Sequence, residues 1–173
     1  MSAAGKAHEE SPFWRFSLRF YSRAKIAAAC LALQDEAGAD VNLLLFLLFL
    51  AEHKRQVTKD DILRLDRAVQ AWRDRVVKPL RELRRALKEG IGDIPITASE
   101  TFRGQIKRLE LESEQIEQHV LERLNASEIG APATSRIEAA KVNLAAYGGY
   151  LGAMAGEAFG VILNGFTEFG AHP

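Results

Sequence analysis

The chain has 173 residues, of which 47% are hydrophobic and 27% are charged. This balance provides enough apolar surface for a folded core and excludes a disordered chain. The 23 basic and 23 acidic residues cancel, so no overall charge attracts nucleic acid or anionic lipid, and any such attraction must be local.

The start of the chain lacks the apolar segment of a signal peptide, and we expect residues 1–11 to be disordered. The single cysteine, Cys30, lies among alanines and leucines and has no second cysteine with which to form an internal disulfide. We therefore expect a cytoplasmic protein, with association with a membrane as the alternative.

The pattern of residues 12–89 is typical of a helical bundle domain. Ser11 followed by Pro12 is a common way to begin a helix. Residues 43–50 are apolar on every side, which predicts a buried central helix that is too short to cross a bilayer. Further along, Pro79 removes a backbone donor and predicts a kink or a break.

Two glycines and a proline make residues 90–96 a predicted linker. The next segment, 97–128, is predicted to be an amphipathic helix that begins with a capping box at Thr97. Residues 129–134 form a predicted loop, and 135–169 form a predicted helix rich in small residues. The narrow apolar stripe of the amphipathic helix, interrupted by a serine, consists of Phe102, Ile106, Leu109, Ile116, Val120 and Leu124.

A glycine ladder near the C-terminus is the most specific pattern in the chain. Glycines at every fourth position of one continuous helix would share a face and form a groove for another backbone. Each interior glycine costs a helix about 1 kcal/mol relative to alanine, so a tightly packed partner would have to compensate. The predicted interaction face consists of Gly148, Gly152, Gly156, Gly160 and Asn164.

Four basic residues also recur at helical spacing and would share a basic face. Such a face can bind the phosphates of anionic lipid or nucleic acid, or it can pair with acidic residues of neighbouring helices. Nucleic acid is the less favoured ligand, because no recognised nucleic-acid module accompanies the basic residues. The basic face consists of Arg81, Arg84, Arg85 and Lys88.

No pattern predicts enzymatic chemistry. The four histidines are scattered and form no pair with metal-ligand spacing, and Cys30 has no base nearby in the sequence. We therefore assign no catalytic, metal-binding or cofactor-binding residue. Trp14, Trp72 and the phenylalanines of the first and third helices can line a pocket for an apolar ligand, although such residues also form ordinary cores.

Several segments of the first half are distinctive: FWRFS at 13–17, ACLALQD at 29–35, DVNLLLF at 40–46, WR at 72–73 and VKPLR at 77–81. Together they resemble a family of small, uncharacterised, all-helical bacterial proteins of unknown function. The resemblance covers about residues 12–89. It implies a compact helical domain of bacterial origin and supplies no site residues.

These observations predict an all-α fold, in which a helical bundle is followed by a helical extension that ends in a glycine-laddered helix. The predicted function is association without catalysis, either with a second copy or with another protein, through the glycine face. A first alternative is a protein that binds lipid or a membrane surface through the basic face and the glycine-rich helix. A second alternative is a bundle that holds an apolar ligand or cofactor.

Overall fold

The computed structural model describes residues 11–124, 129–152 and 156–170. Within these ranges the protein is all-α, as predicted, apart from a two-stranded antiparallel sheet. The predicted disorder of residues 1–11 lies outside the described residues except for Ser11, which caps the first helix. The elements in chain order are α1 (Pro12–Tyr21), α2 (Ala24–Ala37), α3 (Val41–Glu52), β1 (Arg55–Gln56), α4 (Lys59–Trp72), a π-helical turn (Arg73–Val77), α5 (Lys78–Glu89), α6 (Ile96–Arg123), β2 (Ala131–Pro132), α7 (Arg136–Leu151) and α8 (Glu157–Phe169).

Helix α3 is the centre of the fold. Its residues from Asn42 to Ala51 are buried, which confirms the central helix predicted from the apolar run. The Asp40 side chain begins the helix by accepting hydrogen bonds from the backbone N–H groups of Asn42 (2.8 Å) and Leu43 (3.1 Å). Among the described residues, no helix is both long enough and apolar enough to span a membrane.

Helices from both halves of the chain cover α3. Phe13 of α1 packs edge-on against Phe46 of α3, with ring centroids 5.0 Å apart. From the second half, Tyr147 of α7 and Phe166 of α8 are fully buried in the same core. A helix that is apolar on every side needs neighbours all around it, and the first half alone does not supply them. Residues from both halves of the chain therefore share one core.

The junction between the halves is also tied by hydrogen bonds. Asn143 of α7 is fully buried, and its amide nitrogen donates to the backbone carbonyls of Leu47 (2.9 Å) and Arg55 (3.0 Å). Its amide oxygen accepts from the backbone N–H of Val57 at 2.7 Å. The predicted loop at 129–134 contains β2, which pairs with β1. These bonds satisfy backbone groups that the core would otherwise leave unpaired.

Helices α5 and α6 form an antiparallel hairpin. The predicted linker at 90–96 is the turn of this hairpin, and α6 begins at Ile96. The predicted capping box at Thr97 is wrong, because Pro95 precedes the helix without a side-chain cap. Pro79, where a kink or break was predicted, lies in the first turn of α5, directly after the π-helical turn that separates α5 from α4.

Candidate functional site

A cleft of about 590 Å³ opens between α1, α2, α3 and the α5–α6 hairpin. Trp14 and Leu18 of α1 and Leu45 of α3 supply apolar walls. The volume is within the range of small-ligand sites in proteins. The basic and acidic residues that line the cleft are Arg81, Arg84, Arg85, Lys107, Arg108, Glu110 and Glu114.

Two members of the predicted basic face bind carboxylates within the hairpin. The Arg81 guanidinium donates to Glu110 (3.1 Å), Glu114 (2.6 Å) and Gln34 (2.6 Å). Arg84 forms a second ion pair with Glu110. Burial raises the pKa of the Glu110 carboxyl, but the hydrogen bonds from the two arginines outweigh it and hold the pKa below its ordinary value. The hairpin is therefore joined by partly buried ion pairs, and these two arginines do not form a free basic surface.

The remaining basic residues of the face are more accessible. Arg85 is ion-paired with Asp35 at 2.9 Å, and both side chains are about half exposed. Lys88 is exposed. Together with Lys107 and Arg108 of α6, Arg85 leaves an excess of positive charge at the mouth of the cleft. An anion entering the cleft would therefore be attracted at its opening.

Two residues that line the cleft each carry a buried side-chain oxygen without a hydrogen-bond partner among the described residues: Ser17 Oγ and Gln118 Oε1. Both residues are 3% exposed and line the cleft. The other end of the Gln118 amide donates to Asn42 Oδ1 at 2.8 Å, so the side chain is held in place. An unsatisfied buried polar atom costs about 1–3 kcal/mol, and a polar group placed in the cleft would remove that cost.

A buried polar network continues behind the cleft. Asn42 donates to Glu117 Oε2 at 3.0 Å, and Glu117 is fully buried on the inward side of α6. Burial and the nearby Asp40 carboxylate raise the pKa of Glu117 well above its ordinary value. The raised pKa favours the protonated, neutral form of Glu117, and the Asp40 side chain caps α3.

Arg73 links this network to the far side of the protein. Its guanidinium donates to Asp40 Oδ2 at 2.8 Å and to Asp66 Oδ1 at 2.6 Å, and only 14% of the side chain is exposed. Tyr150 of α7 donates its hydroxyl to the second oxygen of Asp66 at 2.8 Å. None of these residues was predicted as functional. Their sequence signal was weak: each is a charged or polar residue at an inward position of a helix.

The structure separates the residues of the predicted interaction face. Gly148 is buried in α7, whereas Gly152 has a left-handed φ of 67° and ends that helix. Gly156 is the residue before α8, and Gly160 and Asn164 are exposed within it. Because Gly152 ends α7 and Gly156 precedes α8, the five residues do not share one helix face.

The predicted helix at 135–169 is therefore two helices, α7 and α8, and the predicted groove is absent from the described part of this segment. Gly156 lies beside a different cleft, of about 610 Å³, lined mainly by alanines of α2 and by α8. The glycines near the break are used to end one helix and begin the next, which is a common role for glycine.

Gly160 gives a direct test of this interpretation. A methyl group at Gly160 would meet no atom within 4 Å, so Gly160→Ala is expected to raise the free energy of unfolding by about 0.5–1 kcal/mol through helix propensity. The control is Gly130→Ala, where φ is 70° and the new Cβ would collide with the backbone carbonyl of Gln56. Urea denaturation measures both changes. A loss of stability for Gly160→Ala would favour a packed glycine face.

The aromatic and sulfur-containing candidates have different environments. Trp14 lines the cleft, whereas Trp72 lies against α6, where its indole N–H donates to the carbonyl of Ser113 at 2.9 Å. Phe46 is part of the core around α3. Burial raises the pKa of the Cys30 thiol to about 12, which disfavours the nucleophilic thiolate. Of the two tryptophans, Trp14 is the one placed to contact a ligand in the cleft.

These features define the class of the protein: an all-α bundle with one buried polar network and a cleft of mixed character. The chain belongs to the family described as Protein of unknown function (DUF2390), which it matches over residues 12–121. The predicted family resemblance is thus confirmed, and the match extends through the hairpin and most of α6. No curated protein and no solved structure matches the chain.

Proposed function

We propose that this protein binds a small amphipathic anion in the cleft between α1, α2, α3 and the α5–α6 hairpin. The observation that carries the proposal is the pair of buried, unpartnered polar atoms, Ser17 Oγ and Gln118 Oε1, on residues that line a cleft of mixed apolar and charged character. Polar atoms fixed in an apolar pocket are the usual means by which a binding site orients its ligand.

The arrangement of charge supports an anionic ligand. Arg85, Lys107 and Arg108 are exposed, whereas Trp14 and Leu45, which form apolar walls, are buried. A molecule with a carboxylate or phosphate at one end and an apolar body would place each part against matching groups. Its hydroxyl or N–H group would donate to Gln118 Oε1, and it would exchange a hydrogen bond with Ser17.

The two other functions predicted from the sequence have less support. The membrane-surface proposal depends on free arginines, but Arg81 and Arg84 are ion-paired with Glu110 and are only 19% and 25% exposed. The association proposal depends on a continuous glycine face, which the break at Gly152 divides. Ligand binding depends on residues that lie together in one cleft.

Titration with matched amphiphiles tests the proposal. In a Trp72→Phe background, the fluorescence of Trp14 is expected to respond to decanoate and decyl phosphate at concentrations below micelle formation. Decanol should bind about tenfold more weakly, and decyltrimethylammonium more weakly still, because the mouth of the cleft is basic. Equal affinity for the anion and the cation would overturn the anionic part, and no response to any of the four would overturn the proposal.

Variants at cleft residues test the polar contacts and the charged contacts separately. Ser17→Ala removes an unpartnered buried hydroxyl, so it is expected to raise the stability of the free protein by about 1 kcal/mol and to weaken the binding of ligands that bond to that hydroxyl.

Lys107→Glu with Arg108→Glu is expected to weaken the binding of decanoate about tenfold and to leave the binding of decanol unchanged. Lys141→Glu, an exposed change on α7, is the charge control. If Lys141→Glu weakened decanoate binding as much as Lys107→Glu with Arg108→Glu, the result would contradict the assigned site.

A further inference from the structure

The hairpin has a second side, which is apolar and exposed. Phe102, Leu109, Ile116 and Val120 of α6 have exposed fractions of 50%, 49%, 40% and 36%. Their spacing of seven, seven and four residues places them along one side of the helix. Ile106, which lies between the first two, is buried, so the exposed residues border the inward side of α6.

The apolar side continues onto the neighbouring helices. The hydrogen bond from Trp72 to the carbonyl of Ser113 places the half-buried indole beside this part of α6. On α5, Leu83 is 38% exposed and lies on the side of the helix away from Arg81 and Arg84. We call this surface the hairpin strip; it consists of Trp72, Leu83, Phe102, Leu109, Ile116 and Val120.

We propose that two copies of this chain associate through their hairpin strips. The exposed fractions of the strip correspond to roughly 450 Å² of surface, which is in the range of the largest apolar patches on monomers, patches that are often functional. Interfaces are about 60% apolar, so a strip of this area corresponds to roughly 750 Å² per partner, the standard size of a stable interface. The exposed area is thus what a symmetric dimer of two such strips needs.

The charges beside the strip allow two identical copies to meet. The exposed residues along its outer border include Gln105, Glu112 and Arg123, which carry one negative and one positive charge. In an isologous contact each border meets its own copy. A border without net charge does not repel itself there, so the contact is possible. The cleft is on the other side of α6, lined by Leu111, so the dimer would leave it open.

The solution mass of the full chain tests the dimer directly. Sedimentation equilibrium is expected to show a monomer–dimer equilibrium with a dissociation constant in the micromolar range. In a Trp14→Phe background, Trp72 emission should shift to the blue as the concentration rises, because dimer formation removes water from the strip. A monomeric mass at about 100 µM, well above that constant, would overturn the proposal.

A pair of substitutions on one helix provides the matched control. Leu109→Glu, in the strip, is expected to weaken the dimer at least about tenfold. Leu111→Glu makes the same change at a residue of similar exposure, 46%, on the cleft side, and it should leave the dimer intact. Circular dichroism checks that both variants fold. Equal dimer constants for the two variants would overturn the strip as the interface, whatever the result of the ligand titrations.

Discussion

Arg73→Ala is expected to lower the free energy of unfolding by about 3–5 kcal/mol. Arg73 is the shared ion-pair partner of Asp40 and Asp66, at 2.8 and 2.6 Å, and the two carboxylate side chains are only 6% and 10% exposed. Removing the cation leaves two negative charges buried near each other, which is far more costly than losing an exposed ion pair. Urea unfolding followed by circular dichroism measures the loss.

Arg75→Ala, on the same π-helical turn, is the control, because Arg75 is exposed. It is expected to change stability by less than about 0.5 kcal/mol. Adding Asp66→Asn to the Arg73→Ala variant should restore part of the lost stability, because it removes one of the uncompensated charges. A loss below about 1 kcal/mol for Arg73→Ala would contradict the central role given to this residue.

Glu117→Gln is expected to stabilise the protein at pH 7 by about 3 kcal/mol. In the folded protein, burial and the Asp40 carboxylate raise the pKa of Glu117, so the side chain keeps its proton at neutral pH. The unfolded chain releases that proton above about pH 4.3, so the stability contributed by this residue is present at low pH and falls as the pH rises. Glutamine keeps a side-chain oxygen that can accept the hydrogen bond from the Asn42 amide nitrogen, and it has no proton to release.

The pH dependence is the sharper part of this prediction. Urea unfolding should give similar stabilities for wild type and Glu117→Gln at about pH 4, and the difference should grow steadily up to pH 7. Glu112→Gln, an exposed change on the same helix, is expected to show no such trend. If the two glutamine variants follow the same pH curve, Glu117 is not a neutral buried acid.

Much of the helical pattern could be predicted because it depends on local chemistry. Ser11 caps α1, and Thr58 forms a capping box with Asp61, in which each side chain binds the other's backbone N–H. Gly38 ends α2 with a φ of 65°, as expected of a C-terminal glycine. Such features involve residues three or four positions apart, and the sequence displays them directly.

The cleft and the polar network could not be predicted, because their residues are distant in the sequence. Ser17 and Gln118 meet only after α1 and α6 fold against α3. A partial signal was present in α6, where Glu110 and Glu117 occupy inward positions seven residues apart on either side of Ser113. Such residues imply partners elsewhere, but the pattern does not identify them.

The glycine ladder failed as a prediction because spacing alone does not determine whether a helix continues. The fourfold repeat is equally compatible with glycines that face a partner and with glycines that end one helix and begin another. At Gly152 the left-handed backbone decides in favour of the second use. Helix propensity also favoured the second use, because a helix with so many glycines is unstable without strong packing.

The position of α3 has a practical consequence for work on fragments. The family match ends at residue 121, but α7 packs against α3, the most apolar helix in the chain, and α8 packs against α2 and α7. A shortened polypeptide that stops near that boundary would present leucine and phenylalanine side chains to water and would be prone to aggregate. Searches for binding partners with such a fragment would then detect nonspecific hydrophobic adhesion instead of specific binding. Experiments should therefore keep α7 and α8.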